Sequence, residues 1–256
     1  MVEVWRFRET LMRLAMKELA IRYRNSFLGF LWSMLNPLLL MLVYTTVFST
    51  IMQIGIPRYP LFLLIGLLPW TFFSMALPTG MQSLLANAGL VKKVAFPKVL
   101  LPGASVIANL INLFLSYGAF IALVLVLQVK VPLGPQIVTM VPLLLSLFLW
   151  SCGLSFALAG LVVHFRDLEH LIGVVLAAWF YLTPIVYPLH LVPVKYRGLL
   201  LLNPLTVWFH AFTAILYWGR WPGSGVVWLT SAESVVVFAL GWMIFNRLSR
   251  DAAEVI

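Results

Sequence analysis

The uncharged stretch YPLFLLIGLLPWTFFSMALPTGMQSLLA, residues 59–86, decides the class of fold to which this chain belongs. A transmembrane helix needs about 20 consecutive apolar residues, and this stretch exceeds that length without one charged side chain. It is also far longer than the roughly 9–11 residues of a transmembrane barrel strand. Because only helices and closed barrels satisfy their backbone groups in lipid, the stretch predicts a helix that crosses a membrane.

The same length rule predicts five more spans, at residues 27–52, 99–128, 137–163, 171–188 and 226–246. The composition agrees with this reading, since 62% of the 256 residues are apolar, 10% are charged and the mean hydropathy is +1.02. Soluble domains carry about 25% charged residues. We therefore expect an all-α integral membrane protein with six transmembrane helices.

A seventh apolar stretch, residues 199–218, is interrupted by Asn203-Pro204 and His210, and a proline-rich segment precedes it. This pattern favours a broken pair of short re-entrant helices on the outer side, within residues 189–222, over a further span. The positive-inside rule supports both termini in the cytoplasm, because six spans place twelve Lys and Arg inside and five outside. Seven spans would divide the same 17 cations eleven to six, so charge alone separates the two topologies weakly.

The first 21 residues predict an amphipathic helix on the cytoplasmic membrane surface. Its apolar face includes Leu11, Leu14 and Ala15, although Arg8 and Glu18 also fall on that side. The opposite face carries three cations, Arg6, Arg13 and Lys17. Two interpretations remain open here: a simple topology anchor, or a lateral element that senses a substrate headgroup or a partner.

The residues that energise transport or catalysis are missing from the sequence. No Gly-Lys dipeptide occurs, so the phosphate-binding Walker loop is excluded. Glu233 is the only carboxylate in a predicted span, and its position favours an interfacial group over an ion relay. The lone Cys152 excludes an internal disulfide and a cysteine metal site, and we expect no metal site and no catalytic residue.

A membrane enzyme is the competing class, and its candidate side chains lie on one inner loop. That loop holds His164, Arg166, Asp167, Glu169 and His170. The histidines are six residues apart, which points them to different helix faces and does not match metal-ligand spacing. A charged cap between two spans, with Asp167 near a helix start, is the simpler interpretation.

The inner loop at residues 87–98 combines apolar and basic side chains. It contains Leu90, Val91, Lys92, Lys93, Val94, Phe96, Pro97 and Lys98. Apolar side chains exposed on a compact turn of helix require a cover, and a protein partner is the simplest one. Packing of the loop against the protein's own N-terminal helix is the alternative.

Four segments in register resemble the permease subunits of ABC polysaccharide exporters, the type-2 family that exports O-antigen and teichoic acid. They are RYRNSFLGFLWSMLNPL at 22–38, the Phe-Pro-Lys segment at 90–102, FRDL at 165–168 with TPIVYP at 183–188, and LNPL at 202–205. The resemblance covers residues 1–256 as a single transmembrane domain. It implies a homodimer in the bacterial inner membrane, powered by two copies of a separate ATPase that uses ATP and Mg²⁺, with no cofactor in this chain.

The resemblance also implies residue roles. Residues 87–98 would form the coupling helix that docks on the ATPase, and residues 189–222 would close the outer mouth. The N-terminal gate helix would involve Trp5, Arg6, Arg13, Lys17, Arg22, Tyr23 and Arg24. Spans one and five would line a channel for an undecaprenyl-diphosphate-linked polysaccharide.

Six aromatic residues and one methionine on those two spans are the candidate channel lining. On span one they are Met41, Tyr44 and Phe48, which lie on one helix face at three- and four-residue spacing. On span five they are Trp179, Phe180, Tyr181 and Tyr187. Aromatic faces stack on the C–H faces of sugar rings without fixing a hydrogen-bond register, which suits a sliding polymer. Ordinary lipid contact or an interfacial aromatic belt is the alternative, and it is the preferred interpretation for Trp218, Trp221 and Trp228.

The sequence therefore predicts an inner-membrane permease that exports lipid-linked O-antigen. The alternatives are an ABC exporter of another cargo, such as teichoic acid, capsule or a small hydrophobic drug, and a membrane-embedded lipid-modifying enzyme.

Overall fold

A computed structural model describes residues 7–24, 26–94 and 96–249. The helices in these ranges are α1 (Arg8–Tyr23), α2 (Trp32–Tyr44), α3 (Tyr59–Ala86), α4 (Ala88–Lys93), α5 (Leu100–Val126), α6 (Met140–Val162), α7 (Leu168–Leu182), α8 (Val194–Leu201), α9 (Pro204–Leu216) and α10 (Ser224–Leu248). The described residues form no strand, so the predicted all-α membrane fold is confirmed.

Five helices are long and apolar enough to cross a membrane: Gly29–Ile51, Tyr59–Ala86, Leu100–Val126, Pro135–Val162 and Ser224–Leu248. The first continues α2 through a 3₁₀ turn, Gly29–Leu31, and a π-helical segment, Thr45–Ile51. Helices α8 and α9 meet at an angle of 104° across a short break, in the segment where the sequence predicts broken helices. They would be a sixth crossing only if the bent pair were one span.

The predicted fifth span, residues 171–188, differs from the observed helix and is corrected. Helix α7 has 15 residues, Leu168–Leu182, and at 1.5 Å per residue it covers about 22 Å of the roughly 30 Å apolar core. It ends where Thr183 precedes Pro184, because proline disfavours the helical conformation of the residue before it, and Thr183 is extended. The residues that follow are buried in protein, where non-helical backbone is tolerated at membrane depth.

Helix α3 forms the centre of the bundle and packs along α5 and α6. Its apolar side chains are buried over nearly the whole length, including Phe62, Phe73 and Leu84. Helix α2, by contrast, contacts α3 and α5 with one side and leaves apolar side chains such as Leu42 and Val43 exposed.

Helices α6 and α10 approach each other closely enough for their backbones to touch. A Cβ atom placed on Gly241 would lie 1.9 Å from the backbone oxygen of Gly153, so only glycine permits this approach. Small residues at helix crossings are the usual means by which membrane helices associate, since van der Waals packing replaces the hydrophobic effect in lipid.

Pro37 interrupts α2 without breaking it. Proline has no N–H, so the carbonyl oxygen of Ser33, four residues earlier, receives no hydrogen bond from it. The Ser116 hydroxyl on α5 donates to that oxygen at 2.8 Å. A neighbouring helix thus satisfies the acceptor that the proline leaves open, as membrane helices require.

Candidate transport groove

A groove of about 650 Å³ lies between α2, α3 and α7. Its wall includes Tyr44 from α2, Trp70 from α3, and Phe180 and Tyr181 from α7. The rings of Tyr44 and Phe180 stack with their centroids 5.5 Å apart, and Trp70 lies 5.3 Å from Phe180. The groove is therefore an aromatic surface contributed mainly by the two elements that the resemblance assigns to the channel.

The structure brings together three of the seven predicted lining residues, namely Tyr44, Phe180 and Tyr181. Tyr181 is 58% exposed, whereas Phe180 is almost covered. Met41 and Phe48 are half-buried against the core and are not among the residues that line the groove.

Trp179 and Tyr187 have structural contacts away from this groove. The Trp179 indole makes edge contact with Trp150 and donates to Asn203 Oδ1 at 2.9 Å. The Tyr187 hydroxyl donates to the backbone oxygen of Tyr181 at 2.7 Å. Adjacent positions on a short helix point in different directions, so aromatic composition alone does not separate Trp179 from Phe180.

Asn203 connects α7 to the bent pair. Its Oδ1 accepts from the backbone N–H of Leu205 at the start of α9, and its Nδ2 donates to Thr183 Oγ1 at 2.9 Å. The LNPL and TPIVYP segments are therefore hydrogen-bonded to each other. The sequence analysis did not identify Asn203 as a helix cap, although Asn followed by Pro is typical of the start of a helix.

Helix α1 is attached to α5 by a line of polar contacts. Arg22 Nη1 donates to Asn109 Oδ1 at 2.9 Å, the Tyr23 hydroxyl bonds Asn112 Oδ1, and Ser105 Oγ donates to Glu18 Oε1 at 2.6 Å. Glu18, which disturbs the amphipathic pattern, therefore belongs to the buried face of α1. Burial raises the pKa of its carboxyl group, although the Ser105 hydrogen bond and the charges of Arg22 and Lys17 oppose that effect.

The other predicted gate residues are solvent-facing or lie outside the described residues. Arg13, Lys17 and Arg24 are exposed, and Lys17 borders a pocket of about 460 Å³ beside Arg22. Trp5 and Arg6 lie outside the described residues. The sequence analysis missed Asn109 and Asn112, although polar amides inside an apolar span are costly and so mark a bonded position.

The predicted coupling loop contains the short helix α4, Ala88–Lys93, and its apolar residues differ in exposure. The expected exposure of Val91 is wrong, because this side chain is only 6% exposed, and Leu90 and Phe96 pack against the core. Val94 is 49% exposed beside the exposed Lys92 and Lys93. Pro97 is half-buried, and Lys98 Nζ donates to the backbone oxygen of Ser249 at 2.8 Å.

The charged residues of the second inner loop remain apart. Arg166, Asp167 and Glu169 are exposed, and the Asp167 backbone oxygen accepts from the N–H of Leu171 at the start of α7. His164 Nε2 lies 3.2 Å from the backbone oxygen of Leu248. Within residues 7–24, 26–94 and 96–249, no group of three His, Cys, Asp or Glu side chains could hold a metal ion.

Glu233 is half-buried on α10, and its Oε2 has no hydrogen-bond partner in the part of the chain that the structure describes. An ionised carboxylate within a membrane-spanning helix costs free energy unless it is protonated or reaches water.

Comparison with known proteins supports the resemblance on which the channel assignment rests. Residues 9–217 match the family model described as ABC-2 type transporter. The chain is 37% identical to an O-antigen export system permease protein of Myxococcus xanthus, over 98% of this chain and 97% of the relative. It is 30% identical to the O-antigen export system permease protein of Klebsiella pneumoniae, over 94% and 92%.

A polysialic acid transport protein of Escherichia coli is 27% identical over 77% of this chain and 76% of its own length. The four motif segments, the aromatic groove and the extent of these matches lead to one conclusion. The chain belongs to the ABC-2 type transporter family.

Proposed function

We propose that this chain is the channel-forming permease of an ATP-driven exporter, and that it moves an undecaprenyl-linked polysaccharide, of the O-antigen type, out across the bacterial inner membrane. The names of its relatives motivate the cargo class. We infer the transport role from the aromatic groove between α2, α3 and α7.

A second copy of the chain completes the channel. The groove is open on its α2 side, where Leu39 and Leu40 line it and are exposed. A mostly apolar groove that is open to lipid would fill with acyl chains. A second copy of the chain, facing the first, would instead enclose the groove between two aromatic walls. The homodimer that the family resemblance implies supplies that second wall.

Weak, repeated aromatic contacts suit a polymer that must advance. Tyr44 and Tyr181 offer ring faces and rotatable hydroxyl groups, and neither contact requires a unique register of the sugar chain. Binding energy that is equal at every step does not trap the cargo, because a uniform contact has no preferred position along the chain.

ATP hydrolysis and Mg²⁺ binding belong to the partner ATPase, and α4 transmits the resulting movement. Lys92 and Lys93 at the end of α4 and the following Val94 are accessible, whereas Val91 is buried against the core. A docking partner with an acidic rim and an apolar groove matches this combination.

The test uses the exposed position, because a charge at the buried Val91 would disturb folding. We expect Val94→Asp to reduce ATPase-coupled export at least tenfold while the amount of folded permease in the membrane stays constant. Leu133→Asp, which introduces the same charge at a 68% exposed position between α5 and α6, is the control and should export normally.

Both variants are assayed by surface glycan in cells and by co-purification of the ATPase. Normal export by Val94→Asp, with the ATPase still co-purifying, would exclude α4 as the docking element. Uphill transport by the purified chain without any ATPase would exclude the proposed division of labour.

A further inference from the structure

The second pocket of interest lies at the opposite end of the bundle from α1 and α4. It has a volume of about 240 Å³ and is lined in part by Phe62, His190, Arg197, His210, Thr213 and Trp218. Phe62 is near the start of α3, and Gln82, which borders the pocket beside α1, is 20 residues further on. At 1.5 Å per residue the two pockets are separated by about 30 Å along α3, which is the thickness of the apolar core.

The ionisable side chains that line this pocket are all basic. Two imidazoles and one guanidinium line it, and no carboxylate is among its described lining residues. Besides Arg197, the connections at this end, residues 53–58, 127–139 and 183–223, carry four cations and no Asp or Glu. The four are Arg58, Lys130, Lys195 and Arg220. Cations without neighbouring acids favour an anionic ligand.

Arg197 is held in a fixed position. Its Nε donates to the backbone oxygen of Val192 at 2.8 Å, and its Nη2 donates to the backbone oxygen of His190 at 2.7 Å. Two of its five N–H groups are thus used to anchor the guanidinium, and the planar group is already immobilised before any ligand arrives. Such preorganisation lowers the entropy lost on binding.

Trp218 supplies an aromatic face that is also held in place. It is 51% exposed, and its ring meets the buried Tyr217 edge-on with centroids 4.7 Å apart. Tyr217 in turn hydrogen-bonds the backbone oxygen of Pro57, and the Arg58 guanidinium lies 5.7 Å from its ring centre. An interfacial belt role would not explain why Trp218, unlike Trp221 and Trp228, borders a pocket that holds three basic side chains.

We propose that this pocket binds one anionic sugar unit of the exported polysaccharide, with its carboxylate on the Arg197, His190 and His210 side and its ring on Trp218. The inference rests on the proposed function. The volume is below the roughly 300–1,000 Å³ of pockets for drug-sized ligands, so it suits one substituted ring. A ring-stacking platform beside the fixed Arg197 guanidinium distinguishes a sugar acid from a bare anion and from a neutral sugar.

The test measures the affinity of the purified full chain in lipid nanodiscs for D-glucuronate by isothermal titration calorimetry, with D-glucose and inorganic phosphate as comparison probes. Saturation-transfer NMR of the sugar ring protons reports separately on the contact with Trp218. We expect glucuronate to bind at least about tenfold more tightly than glucose, since a charge-assisted hydrogen bond contributes about a decade of affinity. Trp218→Leu should abolish saturation of the ring protons, and His210→Gln should weaken binding about tenfold.

Trp221→Leu and Trp228→Leu are the matched controls for Trp218→Leu, because both indoles are exposed and neither lines the pocket. His210 is exposed, so the His210→Gln variant remains informative if Trp218→Leu folds poorly. Equal affinity for glucose and glucuronate, or equal effects of target and control variants, would overturn the assignment. Phosphate binding without glucuronate binding would overturn it as well.

Failure of this inference is distinguishable from failure of the proposed function. If the wild-type chain does not bind glucuronate but still supports ATPase-dependent export, the pocket assignment is refuted and the permease role is retained.

Discussion

The attachment of the N-terminal helix to the bundle makes a quantitative prediction at Asn109. This amide is buried in α5, accepts from Arg22 on α1 and donates to Thr79 Oγ1 on α3 at 2.8 Å. Asn109→Ala removes both contacts. Arg22 is only half-buried, so its guanidinium can recover water, and the lost interaction is smaller than that of a fully buried charge.

The magnitude follows from two limits. Hydrogen bonds to charged groups contribute about 1.5–3 kcal/mol in soluble proteins, whereas interhelical hydrogen bonds in membrane proteins average about 0.6 kcal/mol. We expect a coupling free energy of about 1 kcal/mol between Arg22 and Asn109 in a double-mutant cycle of Arg22→Gln and Asn109→Ala. The sum of the single effects should exceed the effect of the double variant by that amount.

The assay is reversible unfolding of the purified protein in mixed micelles by increasing SDS, with amide hydrogen exchange in residues 7–24 as a local readout. Arg13, exposed on the same helix, provides the control cycle, and Arg13→Gln with Asn109→Ala should be additive. Coupling of Arg22 and Asn109 no larger than about 0.3 kcal/mol, the usual error of additivity, would refute the view that this contact holds α1 to the bundle.

Two further predictions concern packing and topology. Gly241→Ala places its Cβ 1.9 Å from a backbone oxygen of α6, so we expect the free energy of unfolding in SDS to fall by about 3 kcal/mol. Gly173→Ala is the control and should leave stability unchanged, because the added Cβ meets no atom within 4 Å. Equal stability of the two variants would contradict the observed helix crossing. Impermeant maleimide applied to intact cells should label Lys195→Cys and spare Lys92→Cys, and labelling of the latter would reverse the proposed orientation.

The positions of five of the six predicted spans were predictable because hydrophobic length is a local property of the chain. Residues 59–86 match α3 in full, and the other long helices lie within a few residues of their predicted ranges. The family was predictable as well, since its four motif segments are read directly from the sequence. Proline at 184 was also visible, yet its consequence for the length of α7 required the backbone to be placed.

The burial of individual side chains was not predictable at the same level. Val91 and Val94 are both valines on one short loop, but only Val94 is accessible, because α4 packs against the core through the face that carries Val91. Trp179 and Phe180 are adjacent aromatic residues, and only Phe180 borders the groove. In an apolar chain, residue type no longer distinguishes the lipid-facing side of a helix from its protein-facing side.

The chain's own order of residues determined that it spans a membrane, that its helices break near Asn203, and that it lacks a Walker loop for ATP. Tertiary structure alone decided which aromatic rings meet in the groove and which residues form the basic pocket. The reason is physical: crossing lipid depends on the local run of apolar groups, whereas a binding surface depends on contacts between residues far apart in sequence.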